Sequence, residues 1–497
     1  MQRLFVNTAR KYSKIDKNIY GHFTEHLGRG IYEGIYVGES SPIPNVRGIR
    51  SDVAEALRNI RVPVMRWPGG CFAEYYNWRD GIGGKDERKR IVNTSWGGVV
   101  EDNSFGTHEF LDLCEQVGCA PYIAVNVGSG TPREASEWIE YMTFGGESPM
   151  ADLRRKNGRD KPWDVAFVGI GNENWGCGGN MRAEYYADVY KRFDGFIRPY
   201  GDKKLDKVAC GANGNDYEWT ETMMRLAGKH MGSLSLHYYT MPEYYASEEY
   251  PWEKKGPALG IDSGNYYRTL RRALYMDELI RRHKYAMDKY DPEGKVKIVV
   301  DEWGAWHLTE PGTHPSFLYQ QNTMRDAMVA AVTLNIFNAH SDRVSMANLA
   351  QMVNVLQSLI LTEGEAMALT PTYHVFDLYK EHQEARLIES YVQKDLSGTE
   401  EAPVPGLHVS ASEKEDGRVL VTLANLSADE PQSVQCLLNG KTFTSAEIRY
   451  ISGGINSHNS LGQPPQVSVR AMEGVAVSDN GFILELPACC VAAITLE

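Results

Sequence analysis

Two glutamates stand in settings that suit acid–base and nucleophilic chemistry. Glu173 follows the apolar run 165–170 and lies between two amides in GIGNENWG, while Glu302 follows a second apolar run in VKIVVDEW. Paired carboxyl groups that converge on a pocket suit glycoside hydrolysis, because one protonates the leaving oxygen while the other attacks the anomeric carbon or activates water. Either glutamate alone would be explained as a surface carboxylate or an arginine ion pair, so the prediction rests on both.

The elements that must position these glutamates form a regular series of β-rich runs separated by helical patterns. One helix signal is clear, because Thr131, Pro132 and Glu134 form a capping box with proline at the first helical position. Further helices are expected at 181–197, 268–290 and 317–337. Nearly continuous apolar strands that alternate with helices predict a parallel (β/α)8 TIM barrel over residues 16–375. The eight expected strands are 19–25, 61–67, 121–128, 164–173, 207–213, 233–239, 296–303 and 343–351.

The pattern changes after about residue 375. Short alternating strands divided by Gly, Asn, Asp and Pro turns follow, as in RVLVTLANLS and GFILELPACCVAAITLE. Such a series predicts an antiparallel β-sandwich of the jelly-roll type over residues 376–497. The opening segment 2–8 is itself strand-like, so we expect residues 1–15 to join this second domain.

Polar residues collect at the predicted strand ends. Barrel enzymes place their chemistry at the carboxyl ends of the strands, and one or two polar groups there would reflect solvent alone. All eight ends carry them, which predicts a pocket for a polar small molecule. The residues are Glu25, His26, Arg66, Asn126, Asn172, Glu173, Asn213, His237, Tyr239, Asp301, Glu302, Asn348 and Gln351.

The chain resembles a known family over nearly its full length. GIGNENWG resembles the Asn-Glu motif of the clan A barrel glycosidases, and the whole chain is similar to the α-L-arabinofuranosidases of glycoside hydrolase family 51. The strings that carry the resemblance are YGHFTEHLGRGIYEGIY, MRWPGGCFAEYYNWRDGIG, DEWGAWH and NLAQMVNVLQ. The resemblance implies exo-acting release of terminal non-reducing α-L-arabinofuranosyl residues by a retaining double displacement. It also implies Glu173 as general acid/base, Glu302 as nucleophile, and no metal or organic cofactor.

The same resemblance implies residues that bind the sugar. Asn172 is expected to hydrogen-bond the 2-hydroxyl, a contact that strengthens as positive charge develops at the ring. Glu25 and Gln351 are expected to partner the other furanose hydroxyls, because a sugar buried without such partners would bind poorly.

Further contacts are implied around the ring and the nucleophile. Arg66 and Tyr239 are expected to keep Glu302 ionised and oriented, with His237 nearby. The remaining residues are Cys71 beneath the ring, Trp96 as an aromatic wall, for which an ordinary core tryptophan is the alternative, and Trp306 on the leaving-group side.

The composition of the chain limits the binding partners and the cellular compartment that we expect. The chain has 497 residues with a formal net charge of −13, which argues against nucleic acid or an anionic membrane as a partner. No apolar run reaches membrane-spanning length, and the N-terminus lacks the apolar core of a secretory signal, so we expect a cytoplasmic protein. The eight cysteines follow no metal-site spacing, and we expect them to be reduced rather than to form a disulfide framework.

The sequence indicates only the chemical class of the natural substrate. Arabinose-containing oligosaccharides derived from arabinan or arabinoxylan are expected, and the resemblance implies a homo-oligomer of the hexameric type found in the family. The loop 247–265 is expected to shape access to the pocket.

Three alternatives stay open at the sequence level. A metal-dependent barrel hydrolase is suggested by His22, His26, His237 and Asp301, but residues 22 and 26 lack the His-x-His spacing that points both rings inward. A non-catalytic sugar-binding protein would have no use for a matched carboxylate pair. An endo-acting clan A glucanase or xylanase would share the pair and differ in its products.

Overall fold

Strands alternate with helices until residue 379, and strands dominate afterwards. The computed structural model describes residues 1–200, 204–242, 255–393, 396–475, 477–478 and 481–497. The α-helices of this part are α1 Ser51–Asn59, α2 Thr107–Val117, α3 Pro132–Thr143, α4 Pro149–Lys156, α5 Ala183–Phe196, α6 Tyr217–Ala227, α7 Ser263–Asp288, α8 Met324–Ala339 and α9 Pro371–Tyr379.

The strands of the first three quarters of the chain are β1 Gln2–Lys14, β2 Gly21–Phe23, β3 Asn45–Val46, β4 Ile49–Arg50, β5 Val64–Trp67, β6 Ile91–Asn93, β7 Val99–Glu101, β8 Ala120–Val125, β9 Phe167–Ile170, β10 Asp206–Asn213, β11 Ser233–Thr240, β12 Lys297–Ala305, β13 Val344–Ala350, β14 Ile360–Glu363 and β15 Ala366–Leu369. Those that follow α9 are β16 Arg386–Val392, β17 Leu396–Gly398, β18 Pro403–Pro405, β19 Leu407–Glu413, β20 Val419–Asn425, β21 Gln432–Asn439, β22 Ala446–Ser452, β23 Arg470–Met472, β24 Gly481–Leu486 and β25 Cys490–Leu496.

Eight of these strands close into one barrel. Its order is β2, β5, β8, β9, β10, β11, β12 and β13, after which β13 pairs with β2 again. Neighbouring strands are parallel, so all their carboxyl ends open on the same face. The predicted TIM barrel is therefore confirmed, and each of the eight expected strands contributes one barrel strand.

Apolar side chains of different strands fill the barrel interior. A buried cluster joins Val64, Tyr122, Val208, Val299 and Met346 from five strands. Layers of bulky side chains are the usual filling of such barrels, so this one is a packed core rather than a pore. Its rigid wall is what positions the polar groups at the strand ends.

Local signals place the helices as the sequence predicts. In α3, the Thr131 hydroxyl accepts from the Glu134 amide at 3.2 Å, and the Glu134 carboxylate accepts from the Thr131 amide at 2.7 Å. This reciprocal pair satisfies two of the unpaired amides at the helix start. The helices expected at 181–197 and 268–290 are α5 and α7. The helix expected at 317–337 is α8, which begins only at Met324, where Thr323 caps it.

The strands after the barrel form a second unit with the N-terminal segment. One sheet has the order β23-β22-β25-β20-β19-β16-β1-β21-β24. Apolar residues from strands at both ends of this order pack into a single core, so the sheet curls around it. β1 lies between β16 and β21, antiparallel to the first and parallel to the second, so the opening segment belongs to this sheet.

Helix α8 lies between the barrel and the C-terminal sheet. Its residues from Met324 through Asn338 are all buried. Two of its amides reach the sheet: Asn335 accepts from the Thr422 hydroxyl at 2.9 Å, and Asn338 donates to the Ser410 hydroxyl at 3.3 Å. A helix buried on all sides needs such partners for its polar groups, so these contacts join the two units.

Two expectations need correction. The fourth barrel strand ends at Ile170 rather than Glu173, because Gly171 takes a φ of +89° and turns the chain; a Cβ there would lie 2.1 Å from the Asn174 side-chain oxygen. The cysteines are not all reduced, since Cys71 and Cys177 form a disulfide. The other six are unpaired thiols, five of them buried. Among the described helices, none has the length and apolar character to cross a membrane.

Candidate active site

A cavity of about 680 Å³ opens at the carboxyl ends of the barrel strands. Its walls include an acid, a cysteine and three aromatic residues that the sequence analysis singled out: Cys71, Trp96, Glu173, Tyr239 and Trp306. Asn213, another predicted strand-end residue, also lines it. A concave pocket with a few convergent polar groups at this end of a barrel is the expected place for catalysis.

Glu173 projects from a tight turn after β9. Its backbone has a φ of +43°, a left-handed conformation that non-glycine residues seldom adopt. The turn holds it there, because the Glu173 carbonyl accepts from the amides of Gly176 at 2.7 Å and Gly178 at 3.0 Å. A strained backbone that the surroundings fix is a common feature of functional sites.

The two glutamates meet across the barrel mouth. An oxygen of Glu173 and an oxygen of Glu302 lie within 4.8 Å of each other, and a His237 ring nitrogen lies within the same distance of both. Burial first, and then the charge of Glu302, raise the pKa of Glu173, while the hydrogen bond with His237 opposes the shift. A carboxyl with a raised pKa beside an ionised one is the arrangement that separates an acid from a nucleophile.

Arg66 and Tyr239 hold Glu302 by direct hydrogen bonds. The Arg66 guanidinium donates to Glu302 Oε1 at 2.9 Å, and the Tyr239 hydroxyl donates to Oε2 at 2.8 Å. Arg66 also donates to the Asn172 side-chain oxygen at 2.6 Å, which fixes the orientation of that amide. Both oxygens of Glu302 therefore accept from fixed donors, which orient the carboxyl group.

His237 is a cation within a ring of carboxylates. Its Nδ1 lies 2.9 Å from Glu173 Oε1 and 3.6 Å from Glu302 Oε2, and its Nε2 lies 3.1 Å from Asp301 Oδ1. Burial lowers the pKa of His237, but these three carboxylates outweigh that effect and raise it to about 10. Asp301 is held in turn by the Tyr122 hydroxyl at 2.8 Å.

Glu25 and Gln351 form a second polar pair beside the nucleophile. The Gln351 amide donates to Glu25 Oε2 at 3.3 Å, and the Phe72 amide donates to Oε1 at 2.9 Å. Burial and the charge of Glu302 raise the pKa of Glu25 to about 7. A Cβ built on Gly70 would lie 2.9 Å from Glu302 and 3.4 Å from Glu25, so both carboxylates lie against this glycine.

Aromatic rings and the disulfide complete the walls. Trp96 and Trp306 pack, partly buried, against an apolar cluster that also receives Tyr239, and the rings of Tyr239 and Trp306 meet edge to face with centroids 4.9 Å apart. The disulfide lies beside the candidate acid, with the Cys71 and Cys177 sulfurs 3.9 Å and 3.6 Å from Glu173 Oε2.

Four predicted strand-end or ligand residues serve the fold instead. His22 packs against Phe376 and His26 against a group of aromatic rings, and burial lowers the pKa of each histidine to about 3. Asn126 accepts from the amides of its own turn at 2.9 Å, and Asn348 donates to a backbone carbonyl at 3.4 Å.

Potential metal ligands do converge, but their chemistry is unsuited to an ion. Within the described residues, two clusters qualify by distance: Cys71, Glu173 and Cys177, and Glu173, His237 and Glu302. The sulfurs of the first are bonded to each other, and the carboxylates around the imidazole of the second raise its pKa to about 10, which favours the protonated ring. Metal binding requires thiolate and neutral imidazole, so neither set fits in this state.

Three residues of the site were missed from the sequence. Glu74 lies within the 3-10 turn Cys71–Tyr75 and bonds the backbone of Asn172. Asp301 was considered only as a strand-end residue and a possible metal ligand, not as a partner of His237, and Cys177 was not paired. The string PGGCFAE signals a turn at the second strand end, but nothing in it shows which groups that turn contacts.

Comparison with known proteins places the chain in a family. The profile described as Alpha-L-arabinofuranosidase 1 domain matches residues 56–256, and the profile described as Alpha-L-arabinofuranosidase C-terminal domain matches residues 301–490. The chain is 47% identical over 486 residues to the intracellular exo-alpha-L-arabinofuranosidase of Bacteroides ovatus, covering 97% of this chain and 93% of that protein.

Solved structures agree with the sequence matches. The GH51 arabinofuranosidase of Xanthomonas axonopodis pv. citri is 46% identical with a TM-score of 0.96, covering 100% of this chain and 99% of that one. The Thermotoga maritima alpha-L-arabinofuranosidase, solved as an arabinose complex, is 32% identical with a TM-score of 0.87 over the same shares. The chain belongs to the α-L-arabinofuranosidases of glycoside hydrolase family 51.

Proposed function

We propose that this protein is an exo-acting α-L-arabinofuranosidase that releases terminal non-reducing α-L-arabinofuranosyl residues from oligosaccharides. The observation that carries the proposal is the pair Glu173 and Glu302, with oxygens within 4.8 Å of each other at the mouth of the barrel. The name of the Bacteroides ovatus relative supports the exo mode and the sugar.

The reaction is a double displacement with retention of configuration. Glu302 attacks the anomeric carbon while Glu173 protonates the departing glycosidic oxygen, which gives a covalent glycosyl-enzyme and frees the aglycone alcohol. Water then attacks the same carbon, Glu173 takes its proton, and Glu302 leaves as a carboxylate. The short separation of the carboxyl groups supports this route, because inverting enzymes hold theirs about 6.5–9.5 Å apart to admit water.

Neighbouring groups assist each step. Arg66 and Tyr239 keep Glu302 ionised for attack, and their hydrogen bonds return it to that state when the intermediate breaks down. His237 orients Glu173 through the hydrogen bond between Nδ1 and Oε1. Asn172, whose amide Arg66 already orients, binds the sugar 2-hydroxyl, where hydrogen bonds strengthen as the oxocarbenium character grows.

The other residues bind the remainder of the substrate. Glu25 and Gln351 partner the other ring hydroxyls, Cys71 lies under the ring and Trp96 walls it. Trp306 receives the leaving group, on the side of the cavity where the Lys255 ammonium lies 4.2 Å above its ring. Residues 247–254 of the loop expected to shape access lie outside the described residues.

The source of the substrate, the cellular location and the assembly of the protein are proposed as well. We propose oligosaccharides cut from arabinan or arabinoxylan as substrates, a cytoplasmic location in keeping with the name of the Bacteroides ovatus relative, and a homo-oligomer. Light scattering of the purified protein would give the mass of the assembly directly, and a monomeric mass would contradict the proposed homo-oligomer.

Product analysis tests the function. We expect digestion of a linear arabino-oligosaccharide series to release arabinose alone from the first time point, shortening each chain by one unit. We expect NMR of the first-formed sugar to show the α anomer before mutarotation. Early appearance of internal fragments would instead favour an endo-acting glycosidase, and binding without any cleavage would favour a sugar-binding protein.

A further inference from the structure

A further buried carboxylate lies behind the candidate acid and takes no direct part in the proposed reaction. Glu74 is 3% exposed and sits in the 3-10 turn Cys71–Tyr75, which follows the second barrel strand β5. Its side chain reaches the ends of the two neighbouring strands, β8 and β9. One carboxylate therefore contacts three consecutive strand ends of the barrel rim.

Every hydrogen-bond partner of this carboxylate is an N–H donor. Oε1 accepts from the Asn172 backbone amide and from the Asn174 side-chain amide at 3.2 Å. Oε2 accepts from the backbone amides of Val127 at 2.9 Å and Gly128. A carboxylate is the one side-chain group that can accept at both oxygens without donating. These partners favour the ionised form, although burial raises the pKa of Glu74 to about 7.

The contacts fix the segment that carries the acid. Asn172 and Asn174 flank Glu173, and Glu74 Oε1 binds both, so Glu173 is held between two restrained neighbours in its left-handed conformation. The fixed Asn172 also accepts from Arg66, which donates in turn to Glu302. Glu74 thus stands at one end of a chain of contacts that leads to both candidate catalytic carboxyl groups.

We propose that Glu74 is a positioning residue for the reaction, which holds the Asn172–Glu173–Asn174 segment where Glu173 can protonate the leaving group. This inference rests on the proposed roles of Asn172 and Glu173. Glu74 need not touch the sugar, since its four partners are all protein amides, so it acts through the residues that those amides position.

The test compares substrates that differ in their need for acid. A dinitrophenyl α-L-arabinofuranoside has a leaving group that departs without protonation, whereas an arabino-oligosaccharide needs Glu173. In Glu74→Gln, one oxygen becomes an amide donor facing other donors. We expect kcat/KM on the oligosaccharide to fall roughly 10²-fold, the scale of a 1 Å misplacement. The fall on the aryl glycoside should be at least about tenfold smaller.

A matched control separates positioning from folding. Glu109 is also a buried carboxylate, in the capping box of α2, where it accepts from Arg88 and the Gly106 amide. We expect Glu109→Gln to lower the melting temperature while leaving the ratio of the two kcat/KM values unchanged. An unchanged ratio in a folded Glu74→Gln as well would overturn the inference.

A second variant keeps the carboxylate and displaces it. A Cβ at Gly128 would lie 3.1 Å from Glu74 Oε2 and 2.9 Å from the Glu74 carbonyl oxygen. We expect Gly128→Ala to shift the ratio in the same direction, and Gly195→Ala, with open space around its Cβ, to leave it unchanged. Should Gly128→Ala behave like Gly195→Ala, the inference fails.

The proposed function is tested separately by Glu173→Ala. If that variant keeps full activity on the oligosaccharide, the function itself is wrong. If it loses that activity while the Glu74 and Gly128 variants keep the wild-type ratio, only the inference about Glu74 is wrong.

Discussion

His237 and Glu173 share a hydrogen bond of 2.9 Å between Nδ1 and Oε1, although the same imidazole also faces Glu302 and Asp301. The imidazole is therefore held as a cation whose charge lowers the pKa of Glu173, while burial and Glu302 raise it further than His237 lowers it. The candidate acid stays protonated to a higher pH than an ordinary glutamate does, and His237 limits how high.

The pH profile should report this balance. Replacing His237 with Asn removes a hydrogen bond and a positive charge that lower the pKa of Glu173. We therefore expect the alkaline limb of kcat/KM for an arabino-oligosaccharide to move to higher pH in His237→Asn. Because kcat/KM reports the free enzyme, the limb follows the acid itself. A limb that stays in place or moves to lower pH would contradict the assignment.

The hydroxyl of Tyr239 should matter through the nucleophile. Tyr239→Phe leaves Glu302 Oε2 without its 2.8 Å donor and keeps the ring against Trp306. We expect kcat to fall roughly 10²-fold, as for the loss of one donor to a reacting oxygen. Steady-state kinetics on an aryl glycoside would measure it. Tyr75→Phe, which loses a 2.8 Å bond to Asn93, is the control and should keep kcat.

The disulfide should affect catalysis because it tethers the turn that carries Glu173. Cys177 lies four residues after Glu173 and is exposed, so dithiothreitol can reach the bond. The two thiols formed release the Glu173 turn from the Cys71–Tyr75 turn. We expect kcat on an oligosaccharide to fall roughly three- to tenfold, below the cost of a full 1 Å misplacement. Kinetics with and without dithiothreitol, with thiol titration, would measure it.

Two cysteine variants control that experiment. Cys177→Ser should have the kcat of the reduced protein, and dithiothreitol should not change it. Cys119→Ser should respond as the wild type does, because Cys119 is an unpaired thiol that precedes β8, at the opposite end of the barrel from the site. Equal activity of the oxidised and reduced wild-type protein would show that the tether is dispensable.

Buried histidines should make the fold sensitive to acid. His26 packs against the Phe72 ring with centroids 4.7 Å apart, and burial lowers its pKa to about 3. The unfolded chain takes up this proton below about pH 6.5 while the folded chain does not, so stability falls as pH drops. Relative to the wild type, we expect His26→Phe to gain up to about 3 kcal/mol between pH 7 and pH 4. Denaturant unfolding at both values measures the change, and a constant difference would contradict it.

The barrel and its two glutamates are predictable from local pattern. Apolar runs that end in polar residues identify strands such as β9 and β12 without any knowledge of their neighbours, and parallel closure places Glu173 and Glu302 at one face. The capping box at Thr131 is equally local. The exact end of β9 is not, because it is set by the left-handed turn at Gly171, where the Asn174 side chain leaves no room for a Cβ.

Contacts between turns that are distant in sequence cannot be predicted from local pattern. Cys71 and Cys177 are 106 residues apart, and they pair only because the turns after the second and fourth barrel strands meet at the rim, with the third strand between those two strands. Glu74 in PGGCFAE gives no sign that its partners are amides of the next two strand ends. Even the histidines mislead, because His22 and His26 are possible metal ligands by sequence yet lie buried against aromatic rings.

The central claim is the division of labour between Glu173 and Glu302, and azide rescue tests it most directly. With a dinitrophenyl α-L-arabinofuranoside, Glu173→Ala should still form the glycosyl-enzyme, stall at the water step, and regain turnover in azide as the α-arabinofuranosyl azide of retained configuration. Glu302→Ala should not form an intermediate. Full activity of either variant on an arabino-oligosaccharide, or an inverted azide product from Glu173→Ala, would contradict the account.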